Sequence, residues 1–245
     1  MGFNQLKVED IEIIQQKIYE NAIELLEDAE LLYNNEKYAR AHACAQFSIE
    51  EFGKLPMLLT VSAQVSKGDK VNWKDLNNRL RDHKTKTSLS FALIEVMVRS
   101  MIEKIKVENI EDYQLDLYVL FPDSINDFKK FLEQDFELVP YAIFESLDKS
   151  REELSKEYRV RQAVASVLNK YKNLSLYADF NDGDFVKPSE VIHEKRSRDR
   201  IKAALIQQKI MKILHPANNA PYKIKNFSLF DSIQAELRNK IFEEK

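Results

Sequence analysis

A chain of 245 residues, 44% of them hydrophobic, can bury a substantial core as one large domain or two smaller ones. With 4 Gly and 6 Pro it is not a β-rich or loop-rich protein, and 37 basic against 40 acidic residues leave a net charge of -3, which gives no global attraction for nucleic acid or anionic membrane. Any RNA contact must come from a local patch. Cys44 is alone, which excludes a disulfide framework and a four-ligand cysteine zinc site. The start, MGFNQLKVEDIEII, lacks the apolar run of a signal peptide, and the most apolar segment, 89–102, is interrupted by Glu95 and Arg99. The expectation is a soluble protein of the cytoplasm.

In chain order, Ile11, Ile14, Ile18, Ala22, Leu25, Ala29 and Leu32 recur at steps of three and four and predict an amphipathic helix over 7–32. Asn34 and Asn35 end it, and a second helix follows almost at once from Tyr38, so the two form an antiparallel αα-hairpin. This second helix, YARAHACAQFSIEEFGKLPMLL, is apolar around most of its circumference yet carries Arg40, Glu50, Glu51 and Lys54. Pro56 predicts a kink or an early end, with the helical pattern resuming to about Val65. A third helix is predicted from Trp73 to about Lys106, with Leu76, Leu80, His83, Thr87, Ser90, Ile94, Met97 and Met101 as its inward stripe.

Residues 112–120 read as strand or short helix, broken by Pro122. Asp123 or Ser124 then caps a helix through about Phe136, and Asp148 or Ser150 caps the next one, which carries REELSKEYRVRQAVASVLNKYKNL. Residues 174–188 change character, with aromatic residues on both sides of Asn181, Asp182 and Gly183, and predict a small hairpin or compact loop. Pro188 and Ser189 open a helix to about Leu214, residues 215–228 read as a polar linker, and 229–242 as a terminal helix. The fold class is thus all-α, an antiparallel helical bundle with a hairpin-like loop and C-terminal helices. Residues 1–190 read as the main domain and 191–245 as an extension packed on it.

Chemistry concentrates on the second and third helices. A buried carboxylate without a partner costs several kcal/mol, so Glu50 and Glu51 should meet cations, donors or a wet cleft. For Glu50 a plain i,i+4 surface pair with Lys54 is an equal alternative. Arg79, His83 and Lys86 make a cationic band on the third helix, although a lone histidine on an apolar stripe is usually a hydrogen-bonded core residue. The densest basic run lies at 195–202; there Arg196, Arg198, Arg200 and Lys202 are candidates for nucleic-acid contact, against the plainer reading of a solvated helix face. Glu190 and His193 have the spacing of one half of a carboxylate-bridged di-metal site, but no second pair exists. No metal and no cofactor is called for.

Three blocks, YARAHACAQFSIEEFGKL with Glu50, Glu51, Gly53 and Lys54 as an EE-x-GK signature, RDHKTK with His83 and Lys86, and LYAD at 176–179, resemble the AbiV family of abortive-infection proteins in the HEPN superfamily. The resemblance spans roughly residues 15 to 190. It implies an all-α fold, a role in antiphage defence and, as a common HEPN arrangement, a homodimer. Many HEPN domains are metal-independent ribonucleases with Arg followed by His after four to six residues. None of the four histidines here has that arrangement; Arg79 stands one residue too close to His83.

Two functions therefore compete. One is metal-independent RNA cleavage by a variant centre, in which His83 with Glu50 or Glu51 moves protons, and Lys54, Arg79 and Lys86 stabilise the phosphorane. A carboxylate beside an imidazole orients the ring and favours its protonated form. The substrate would be single-stranded or looped RNA. The other is a non-catalytic interaction module that binds a phage or host protein.

Overall fold

The computed structural model describes residues 6–109, 121–134 and 151–214. Helix α1 covers Val8–Asn34 and begins where Asp10 accepts a hydrogen bond from the Lys7 backbone N–H, satisfying one of the free donors of the first turn. It ends at Asn35, and Glu36, in the left-handed region at φ 59°, turns the chain into α2, Tyr38–Phe52.

Helix α2 is the axis of the molecule. Ala39, Ala41, Ala43, Ala45 and Ser48 are small enough for neighbouring backbones to approach on several sides, and all are buried. Helix α1 lies along one side, where Ser48 Oγ donates to the Ala22 carbonyl at 2.7 Å and Tyr19 meets Phe52 edge-on at 5.9 Å. Phe52 is fully buried, worth about 2–3 kcal/mol of apolar transfer.

The break after Phe52 comes at Gly53 and Lys54, before Pro56 rather than at it. Pro56 instead occupies the second position of α3, Leu55–Ser66, where no intrahelical partner for its missing N–H is needed. The predicted third helix is also two: α4, Trp73–Arg81, and α5, His83–Asn109. Asp82 separates them, in extended conformation, and its carboxylate accepts from the Thr85 backbone N–H at 3.0 Å and from the Thr85 hydroxyl. Along the predicted stripe Leu76, Thr87, Ser90, Ile94, Met97 and Met101 are buried, whereas His83 is exposed at the helix start.

Helix α6, Ile125–Leu132, is capped by Ser124, whose hydroxyl accepts from the Asp127 N–H at 3.1 Å. Helix α7, Arg151–Leu176, leads into the hairpin of β1, Asp179–Asn181, and β2, Asp184–Val186. The strands pair antiparallel, Phe180 opposite Phe185, across a turn in which Asp182 and Gly183 both have positive φ, 54° and 101°. The helix predicted from Pro188 to Leu214 is interrupted at Ile192 and His193, giving α8, Pro188–Val191, and α9, Glu194–Leu214.

Helices α9 and α7 pack on α2, and α5 packs on α7, so α2 is enclosed by α1, α5, α7 and α9. The main core joins Ala22, Ala45, Ile49, Phe52, Met97 and Ile201, and a smaller cluster around Leu58 and Leu76 lies under α3 and α4. The architecture is the all-α bundle expected, with the short hairpin as its β element among the described residues. Helix α6 ends at Leu132, with Glu133 closing it, rather than running to about Phe136 as expected; the strand or short helix expected at 112–120, the cap at Asp148 or Ser150, the linker at 215–228 and the terminal helix at 229–242 lie outside the described residues. No described helix is long and apolar enough to cross a membrane.

Candidate active site

Enclosure of α2 leaves Glu50 2% exposed, a position that a carboxylate occupies only with compensation. Three elements supply it. From α5, His83 Nδ1 lies 2.5 Å from Glu50 Oε2 and Lys86 Nζ stands 3.6 Å from the same oxygen. From α7, Lys172 Nζ donates to Glu50 Oε1 at 3.0 Å. From α2 itself, Gln46 Nε2 bridges Glu50 Oε1 at 3.4 Å and Thr87 Oγ1 at 3.2 Å. Burial pushes the Glu50 pKa up, but the hydrogen bond from His83 and the Lys172 charge outweigh it and hold the carboxyl below its ordinary value. Burial lowers the Lys86 pKa, opposed by the Glu50 charge and reinforced by Lys54.

The cations differ in access. Lys86 and Lys172 are buried, and Lys172 also stands 5.6 Å from the centre of the Phe47 ring. The His83 side chain is 52% exposed, so the cluster opens to solvent through the imidazole. With Nδ1 directed at Glu50, its other nitrogen is the one available to a bound molecule.

The chain matches the family model described as AbiV over residues 10–207. It belongs to the AbiV family. No curated protein and no solved structure matches it. Membership carries the HEPN fold and points to abortive infection, a defence against phage.

The EE-x-GK signature of this AbiV chain acquires a physical meaning. Glu50 anchors the ion cluster, while Glu51 turns to Lys54 and pairs with it at the rim. Gly53 has an ordinary helical φ of -64°, so its freedom is not the reason for glycine. The reason is space: a Cβ there would lie 2.5 Å from the Lys86 carbonyl oxygen and 2.5 Å from Ser90 Oγ. This close approach brings α5 against the end of α2, where Ser90 Oγ donates to the Ile49 carbonyl at 2.8 Å. The LYAD block is tied to the first block by Arg40, which donates to the Leu176 carbonyl at 3.2 Å, at the end of α7.

Of the predicted catalytic residues, Glu50, His83 and Lys86 therefore converge, with the Glu51–Lys54 pair beside them. The i,i+4 pairing of Glu50 with Lys54 is not formed. Arg79 is not a partner of Glu50; its guanidinium stands 3.5 Å from Asp75, one turn earlier on α4. Lys172 was not anticipated. A signal for it exists, since Ala165, Leu168, Lys172 and Ser175 form one buried stripe of α7 in which a lysine occupies an interior position.

The basic run on α9 divides by face. Arg198 pairs with Asp123 at 3.0 Å and Glu194 at 3.4 Å, and Lys202 donates to the Pro122 carbonyl at 2.7 Å, so both fasten α9 to the start of α6. Arg196 lies over the Tyr171 ring at 3.9 Å, while Arg200 has its Nε and Nη1 closed off from solvent. Glu190 accepts from the Lys187 N–H at 2.8 Å, capping α8, and the described residues contain no group of three or more metal-ligating side chains. A cleft of about 260 Å³ lined by Glu30, Tyr33, Asp123 and Arg198 lies between α1, α6 and α9 and shares no residue with the Glu50 cluster.

Proposed function

We propose that this AbiV protein acts in abortive infection by metal-independent cleavage of RNA, with His83 as the proton-transfer group and Glu50 as its positioning residue. The observation that carries this reading is the pair itself: a half-exposed imidazole whose Nδ1 is 2.5 Å from a deeply buried carboxylate. When Nδ1–H donates to Glu50, Nε2 is a free acceptor facing solvent. It takes the proton of a ribose 2′-OH, the 2′-oxygen attacks phosphorus, and the P–O5′ bond breaks. The imidazolium then returns the proton to the 5′-oxygen, leaving a 2′,3′-cyclic phosphate and a 5′-hydroxyl. Lys54 at the rim contributes positive charge for the phosphorane, and Lys86 and Lys172 keep Glu50 ionised.

A second reading, a module that binds a phage or host protein without catalysis, is favoured by one specific feature. Both lysines that hold Glu50 are buried, so on the side away from His83 the cluster has the make-up of an ionic staple between α2, α5 and α7. The two separate on incubation of purified protein with total bacterial RNA in EDTA, beside His83→Ala and Glu50→Gln variants of matched fold. Cleavage lost in both variants supports the nuclease. Intact RNA with the native protein, in the presence of phage lysate as a source of any activator, supports the module.

A further inference from the structure

Helix α4, Trp73–Arg81, is sharply two-faced. Trp73, Leu76 and Leu80 pack inward in the smaller core cluster. On the other side Lys74, Asn78 and Arg81, at steps of four and three, fall within about 60° of one another around the helix, and all three are exposed. From Lys74 to Arg81 this row is about 10 Å long. It points along the chain to the mouth of the Glu50 cluster: Arg81 stands two residues before His83, within about 7 Å between Cα atoms, and exposed Lys84 follows His83 directly.

The carboxylates nearby are engaged elsewhere. Asp75, on the flank of α4, stands 3.5 Å from Arg79, Asp82 caps α5 through Thr85, Glu51 pairs with Lys54, and Glu50 lies inside its cluster. Among the described residues none pairs with the side chains of Lys74, Arg81 or Lys84. A single exposed lysine is an ordinary solvated group. A row of unpaired cations with an amide between them, leading to a half-exposed imidazole, has the pattern that contacts a phosphate backbone. The denser basic run on α9 offers no such row, since Arg198 and Lys202 are committed to Asp123 and the Pro122 carbonyl.

Building on His83 as the group that meets RNA, we infer that the outer face of α4 is the track along which a single strand reaches it, with Lys74, Arg81 and Lys84 on backbone phosphates and Asn78 donating between them. The row matches about three nucleotides of a stacked strand, at about 3.4 Å each. One line of charges follows one backbone, whereas a duplex presents two. Contacts of this kind go to phosphate and carry no base preference, so the track positions the strand without selecting its sequence.

The test is the binding of the full chain to a labelled single-stranded RNA of 2′-O-methyl nucleotides, which cannot be cleaved through the 2′-oxygen, followed by fluorescence anisotropy over a range of salt. Lys74→Gln and Arg81→Gln, both surface changes that spare the core, should each reduce the salt slope by about 0.7 and weaken binding about fivefold at about 0.1 M salt. Arg196→Gln, on α9, should bind as the native protein does. Absence of binding by the native protein, equal binding by the α4 variants, or a loss confined to Arg196→Gln would overturn the inference. Cleavage is scored separately on the same strand with free 2′-OH groups. Binding that depends on α4 while that strand stays intact would uphold the track and remove the nuclease; cleavage with binding indifferent to α4 would do the reverse.

Discussion

Replacing Gly53 by Ala sets two effects of opposite sign against each other. The native φ of -64° suits alanine, and the loss of glycine's freedom in the unfolded chain would by itself stabilise by about 0.4–1 kcal/mol. Against that, the new Cβ would lie 2.5 Å from the Lys86 carbonyl oxygen and from Ser90 Oγ. The carbonyl belongs to the backbone of α5 and cannot turn aside, so α5 must shift; overpacking of this kind costs about 1–3 kcal/mol. Ser90 can rotate away, but then its hydrogen bond to the Ile49 carbonyl is lost, at about 1 kcal/mol. The net expectation is a destabilisation of about 1–3 kcal/mol, seen as a lower urea midpoint at unchanged slope. A Gly53→Ala protein as stable as the native one would refute the packing argument and leave the glycine of the signature unexplained.

Two further predictions concern buried charge. Lys172→Met removes one cation from Glu50 and should cost about 3 kcal/mol by urea denaturation, whereas Lys172→Met combined with Glu50→Gln should cost less than the two single changes added together; strict additivity would mean that the pair is not coupled. For His42, the folded pKa of about 3 lies below the unfolded value of 6.5, so its contribution is full above pH 6.5 and is lost as pH falls towards 3. Stability should drop by about 2 kcal/mol between pH 7 and pH 5 relative to a His42→Gln variant, measured by urea denaturation at both pH values. The Glu50 contribution belongs to a lower window, being retained above its unfolded value of 4.5 and lost below it, so it does not enter this difference. Parallel curves for native and His42→Gln proteins would show that His42 is not held neutral.

How legible this site was depends on distance along the chain. Helix α1 follows from a regular apolar period, and the convergence of α2 with α5 from charges placed where a core helix should have none. The interruption at Asp82 was hidden because Leu76, Leu80, Thr87 and Ser90 keep one stripe across it; the cap that Asp82 offers Thr85 was the sign of a new helix start. Its consequence is that His83 stands at a helix entrance, half exposed, rather than within a bundle. Lys172 reaches Glu50 across 122 positions of sequence, and only its interior place in an apolar stripe distinguishes it from any basic residue on a helix. Arg79 looked equivalent to Lys86 on a continuous helix, but the break at Asp82 puts it on α4 beside Asp75. Likewise, the basic run on α9 divides only when Asp123, distant in sequence, comes to meet one of its faces.

The claim that His83 performs chemistry, rather than completing an ionic staple, is tested most directly inside infected cells. Native protein and His83→Ala would be expressed at matched levels, and RNA ends and phage yield followed after infection. The account predicts fragments ending in 2′,3′-cyclic phosphate that accompany protection in cells with the native protein, and neither fragments nor protection with folded His83→Ala. Full protection by His83→Ala would contradict it.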